Sequence, residues 1–233
     1  MAIEDISLHP SLQELAYRAL RDAIVRHELQ PGARLLESEL AQQLSISRSP
    51  IREALRRLQQ DGLVNVRPRE GVYVASITPE EADDIFRVRG ALEETAARLA
   101  AERATEEEIA KMEEMAASMG SAVASGGYDE AIEAADEFHR AITAAARSPR
   151  LAHLVSQIYT HVSRFRNITI RAEGRGIDAA TGHLELVEAI RSRNPDKSGA
   201  MMHRHIDEAR LILLDLLQSG RFPTEDEWVS REE

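Results

Sequence analysis

Apolar residues recur at spacings of three and four early in the chain. Leu12, Leu15, Ala16, Ala19, Leu20, Ala23 and Ile24 share one face of a helix that ends near His27, and Pro31-Gly32 breaks the pattern. Leu40, Ala41 and Leu44 then make the inner face of a short helix, with Ser38 as its expected cap. Ile46 bridges a tight polar link. Ser47 is placed to cap the next helix and Pro50 sits in its first turn, where a missing N–H does no harm. Ile51, Ala54, Leu55 and Leu58 repeat at helical spacing until Gly62 offers a stop. The runs Leu63–Arg67 and Val72–Ala75 flank Pro68-Arg69-Glu70-Gly71, which predicts a two-stranded wing with Arg67 and Arg69 at its tip.

After Ile77 the pattern is helical throughout. Helices are expected over about 79–103, 106–124, 129–147, 150–173, 178–193 and 196–219. Thr78-Pro79-Glu80-Glu81 reads as a cap, an N1 proline and a capping-box Glu, and Thr105 with Glu108 as a second capping box. Gly126-Gly127 is a break, Ser148-Pro149 a start, Gly174 and Gly176 a loop, and Asn194-Pro195 a tight hinge. Residues 1–10 carry no periodic pattern and read as a loose leader. The expected division is a winged-helix unit over 1–77, an antiparallel bundle of about six helices over 78–220, and a flexible acidic tail over 221–233.

The formal charge is −11, which looks wrong for a partner of DNA until it is divided along the chain. Residues 1–77 hold ten Arg and ten acidic groups, and residues 45–71 hold six Arg against three acids, so the excess acid lies in the helical part. A weakly basic reading head on an acidic body keeps nonspecific DNA affinity low. There is no cysteine, which excludes disulfides and thiolate metal sites. No apolar run is long enough to span a bilayer and no charged-then-apolar leader opens the chain. A soluble, cytoplasmic protein is the expectation.

On the helix after Ser47, the outer face carries Ser47, Arg48, Ser49, Arg52 and Arg56. An apolar face to seat the helix, with forked donors near its N-terminus, is what a major-groove reader needs. Along Glu39-Leu40-Ala41, Ser47-Arg48-Ser49-Pro50-Ile51-Arg52-Glu53-Ala54-Leu55, Gly62-Leu63-Val64 and Gly71, the sequence resembles the GntR family of bacterial winged-helix regulators. The resemblance covers roughly residues 11–77. It implies that Arg48 and Arg52 contact bases or phosphates of double-stranded DNA, supported by Ser47, Ser49 and the wing residues Arg67, Arg69 and Gly71. Ser38 stands where some members carry a DNA-contacting Arg. One such helix reads only a few base pairs, so the expectation is a homodimer on an inverted-repeat operator.

Ionisable side chains inside apolar stripes are the informative ones in the helical part. The stripes read Ile85, Arg89, Leu92, Ala96, Leu99; then Ile132, Ala135, His139, Ile142, with Asp136 one turn below His139. They continue as Leu154, Ile158, His161, Phe165, Ile168; then His183, Val187, Ile190; then Met202, His205, Ala209, Ile212. Asn194 lies eleven residues from both His183 and His205. At about 1.5 Å per residue, two antiparallel helices put both imidazoles roughly 16 Å from the turn, at one height. With His139 and Asp136 this makes a set of N and O ligands for a divalent ion, zinc first, with nickel, manganese or iron as alternatives. The competing account is three separate core histidines bonded to backbone carbonyls, and His161 reads as core.

A GntR winged helix followed by such a bundle is similar to the FadR-type subgroup with its effector-binding FCD domain. Metal-binding members carry an Asp and a His in an Asp-x-x-Phe-His run and two later His. His139 after Phe138 matches the first, and His183 and His205 match the later pair. The carboxylate departs, because Ala135 occupies the family position and Asp136 is one residue on. Arg89, in Arg-Gly-Ala-Leu-Glu, resembles the family arginine that meets an effector's carboxylate; Glu93, one turn on, is its alternative partner. The implied function is a DNA-binding transcriptional regulator controlled by a small organic acid, without enzymatic activity. The other reading is a metal-dependent hydrolase in the bundle, since three His around an ion can activate water. Against it stands the lack of a His-Asp dipeptide or a Glu-x-x-His pair.

Overall fold

The computed structural model describes residues 10–172 and 174–220; the leader over 1–9 and the tail over 221–233 fall outside them. Two units separate, Met1–Ile77 and Thr78–Glu233. In the first, α1 (Leu12–Val25), α2 (Glu37–Gln43) and α3 (Arg48–Gln60) are joined by a sheet of β1 (Arg34–Leu35), β2 (Val64–Arg67) and β3 (Gly71–Val74) in the order β1-β3-β2. Leu20, Ile24, Ile51, Leu58 and Leu63 are almost wholly buried in its core. Each such side chain contributes about 1.5–3 kcal/mol when removed from water. A polar clasp closes the outside of α1 on α3: Tyr17 Oη donates to Asp61 at 2.7 Å, and the Arg57 guanidinium lies 3.7 Å from the Tyr17 ring. Burial, then the Asp61 hydrogen bond, pushes the Tyr17 hydroxyl up to about 12.

Two local expectations are corrected here. Ser38 is not the cap of α2: the helix starts at Glu37, Leu36 occupies the cap position with no side-chain hydrogen bond, and Ser38 lies within the first turn. The wing gains a third strand, β1, whose Arg34 and Leu35 pair with Tyr73 and Val72. Two residues show no alternation, so only their pairing reveals a strand. At the wing turn Arg69 and Gly71 both have positive φ, and Gly71 can hold +126° because it lacks a Cβ.

The second unit consists of α4 (Pro79–Arg103), α5 (Glu106–Ala124), α6 (Tyr128–Ala145), α7 (Pro149–Arg171), α8 (Arg175–Arg191) and α9 (Pro195–Gln218). Helix α4 is central and touches α6, α7, α8 and α9. Thr105 and Glu108 form a complete capping box, while Thr78, Ser148 and Asn194 each accept a backbone N–H at their helix starts. Helix α8 begins earlier than expected, because Gly174 turns the chain at φ 74° straight into it. Gly176 is therefore helical, packed where a Cβ would stand 3.0 Å from Val123 and 3.2 Å from a carbonyl oxygen of Ile170.

The buried face of α4 is rotated from the predicted stripe. Phe86, Arg89, Gly90, Glu93, Ala96, Ala97 and Ala100 are inside, while Ile85, Leu92 and Leu99 are only half-buried. Alanines win these positions because several helices close on α4 at short range. Leu154, expected inside, is 47% exposed.

Candidate functional site

In the first unit α3 presents Ser47, Arg48, Ser49, Arg52 and Arg56 to solvent while Ile51, Ala54, Leu55 and Leu58 anchor its other side. Ser47 holds the cap position of α3 without a side-chain bond, so its hydroxyl is available at the helix N-terminus. Arg52 is forked side-on by Glu37 of α2, Nε at 3.0 Å and Nη2 at 2.8 Å, which orders its guanidinium on the open face and leaves Nη1 pointing away from the pair. In the wing the Arg67 guanidinium stacks 4.3 Å from the Tyr73 ring, and Arg69 is exposed at the turn.

The second unit gathers three histidines from three helices. His139 (α6), His183 (α8) and His205 (α9) each offer a ring nitrogen, and these atoms all lie within 4.8 Å of one another. All three are buried, at 2%, 1% and 7% exposure. His183 Nε2 and His205 Nε2 stand 3.1 Å apart. Two nitrogens each ~2.0–2.1 Å from one ion and roughly 90–110° apart would be separated by about 2.9–3.4 Å, so the spacing suits a shared metal. The Nδ1 atoms of both rings have no hydrogen-bond partner among the described residues. Phe138 stacks on His183 with ring centres 4.2 Å apart, holding that ring's plane.

His139 is oriented by a carboxylate. Its Nδ1 lies 2.5 Å from Glu93 Oε2 and donates to it, which leaves Nε2 as the acceptor facing the cluster. Arg89 donates through Nε to Glu93 Oε1 at 2.7 Å, and its Nη2 lies 3.3 Å from His139 Nε2. Glu93 thus ties the predicted effector arginine to a predicted metal ligand, the arrangement that fixes tautomer and basicity in metal-bound histidines. Burial alone would raise the Glu93 carboxyl; the Arg89 charge, with the hydrogen bonds from His139 and Arg89, outweighs it and holds it well below the usual carboxylate range. Burial, more than any neighbour, lowers His139, His183 and His205 and keeps them neutral, as ligands must be.

Asp136 is not part of this cluster. Its carboxylate meets the Arg166 guanidinium and accepts from Ser163 Oγ at 3.2 Å, while its backbone oxygen accepts from Tyr159 Oη at 2.7 Å. The residue one place past the family position faces α7 instead of the histidines. His161 is half-buried and also outside the cluster. A cavity of about 310 Å³, part of it open to solvent, is lined by Arg89, Arg166, Arg175 and the three histidines among others. Sequence reasoning missed Arg166 and Arg175. Arg166 lies off the apolar stripe of a helix whose residues 162–170 are all buried, and Arg175 sat in an expected loop.

A winged helix with an outward arginine face, in a chain whose other unit is a helical bundle around a charged cavity, defines a class of DNA-binding transcriptional regulator. The chain belongs to the GntR family: residues 12–74 match "Bacterial regulatory proteins, gntR family" and residues 84–208 match the FCD domain. It is 27% identical over 206 residues to the HTH-type transcriptional regulator YdhC of Bacillus subtilis (strain 168), covering 88% of this chain and 92% of that one. It is 26% identical over 230 residues to the HTH-type transcriptional repressor RspR of Escherichia coli (strain K12), covering 98% and 99%. Among solved structures, E. coli McbR/YncC superposes with a TM-score of 0.76 at 25% identity, over 88% of this chain and 98% of that one. No described helix is long and apolar enough to cross a membrane.

Proposed function

We propose that this regulator binds an inverted-repeat operator as a cytoplasmic homodimer and is controlled by a small carboxylate bound beside a divalent ion in its helical unit. The observation that carries this reading is the convergence of three buried histidines within 4.8 Å, one of them hydrogen-bonded to Glu93. His139, His183 and His205 would hold the ion, with zinc favoured by an all-nitrogen set and an open position left for an exogenous ligand. Asp136 stays with Arg166 and is not needed. When bound, the ion supplies a Lewis-acidic anchor for an acid's oxygen. Arg89, held by Glu93 at the edge of the cavity, adds a charge-assisted donor for the same acid.

On the DNA side, Arg48 and Arg52 would reach base edges, with Ser47, Ser49, Arg67, Arg69 and the Gly71 turn contacting the backbone. The acid alters operator affinity only as far as it binds the two states of the regulator unequally.

Metal analysis of protein purified without added ions tests the reading. About one divalent ion per chain is expected in the parent and far less in His183→Ala. A parent stoichiometry well below one, unchanged in His183→Ala, would leave three core histidines and overturn it.

A further inference from the structure

Charge sets what the cavity of the helical unit can hold. Three arginines line it with the three histidines, and no carboxylate is among the lining residues. Glu93 is already engaged by Arg89 and His139, and Asp136 by Arg166 and Ser163; neither carboxylate lines the cavity. Arg166 still has Nη2 buried with no hydrogen-bond partner among the described residues. Arg175, only 4% exposed, makes no ion pair among the described residues. Three guanidiniums and no carboxylate line this space, Glu208 and Asp178 act on Arg175 only through their charge, and a divalent ion on the histidines would add two further positive charges. Desolvation lowers Arg166 well below the ordinary arginine value and lowers Arg175 too, a sign that their charges are held at a cost.

A monocarboxylate at the ion and Arg89 would leave that cost in place at the other end. An unmatched buried guanidinium is among the more expensive features a fold can hold. We propose that the effector is a small acid with at least two anionic groups, one toward the histidine cluster and Arg89, the second held by Arg166 Nη2 and Arg175. This rests on the carboxylate reading above and narrows it.

The test is a matched ligand series on the full-length protein as purified, by isothermal titration calorimetry at neutral pH. Lactate and malate share a 2-hydroxy acid end and differ in the second carboxylate; β-malamate carries an amide of the same size in its place. Malate should bind roughly tenfold or more tightly than either, the effect of a buried charge-assisted bond. In Arg175→Gln, malate should fall to within about threefold of β-malamate in the parent, while lactate is little changed. If Arg175→Gln fails to fold, the parent series alone decides. Equal binding of malate, β-malamate and lactate overturns this inference and leaves the carboxylate reading standing. A malate preference that survives intact in a folded Arg175→Gln overturns the assignment to Arg175. Binding of none of the three overturns both.

Discussion

Lowering the pH from 7 to 5.5 in the presence of a chelator should destabilise the helical unit through its three buried histidines. Burial lowers all three, His183 and His205 most strongly, so each is neutral in the folded chain. In the unfolded chain each returns to about 6.5 and takes up a proton. The unfolded state then binds more protons than the folded one below that pH, so stability falls as pH falls and is unaffected well above it. For a group whose folded value lies far below, the loss is under about 1 kcal/mol at pH 6.5 and about 1–2 kcal/mol at pH 5.5. His183 and His205 together therefore contribute roughly 2–4 kcal/mol at pH 5.5, and His139 up to another ~1 kcal/mol. That is a large share of a typical stability of roughly 5–15 kcal/mol. Glu93 is held low and would lose stability only as pH drops below the ordinary carboxylate value, so its effect falls outside this window. Urea unfolding followed by circular dichroism across the pH series gives the slope, and His183→Phe, whose ring Phe138 can still stack on, should reduce it by close to one proton. A stability that is flat from pH 7 to 5.5, or a slope unchanged in His183→Phe, would refute the argument.

On the DNA side, Arg48→Ala and Arg52→Ala should each weaken binding to a duplex selected from a random pool by about 1–3 kcal/mol, with little change for a scrambled duplex; parent-like titrations of both would mean α3 is not the reader. Glu93→Gln should keep the fold but weaken metal affinity roughly 10–100-fold, because the anionic acceptor shared by His139 Nδ1 and Arg89 Nε becomes a neutral amide with one accepting oxygen. Competition with a chelating dye measures this, and undiminished affinity would remove Glu93 from the metal site. Light scattering should give twice the chain mass, and a monomer that protects a single half-site in footprinting would rule out the proposed dimer.

Much of this protein was legible in local chemistry. Capping residues mark their helix starts at Thr78, Thr105, Ser148 and Asn194 because a side-chain oxygen three residues before a free N–H needs no distant partner. The equal spacing of His183 and His205 about Asn194-Pro195 likewise implies their meeting, since a hairpin of two helices is nearly a local structure, and their nitrogens stand 3.1 Å apart. The arginine face of α3 follows from the same period that buries Ile51 and Leu58.

What needed the tertiary structure was everything that depends on which surface covers which. Helical period gives the angle of a residue but not its neighbour, so the sequence put Arg89 inside α4 but set Ile85 and Leu92 beside it where the fold buries Phe86 and Glu93. Only packing puts Glu93 of α4 on the Nδ1 of His139, forty-six positions away. Packing also sets Asp136 against Arg166, and turns Arg175 from a loop residue into a wall of the cavity. Those outcomes are set by burial and charge between helices distant in the chain, where moving a carboxylate by one residue swings it about 100° and changes its partner.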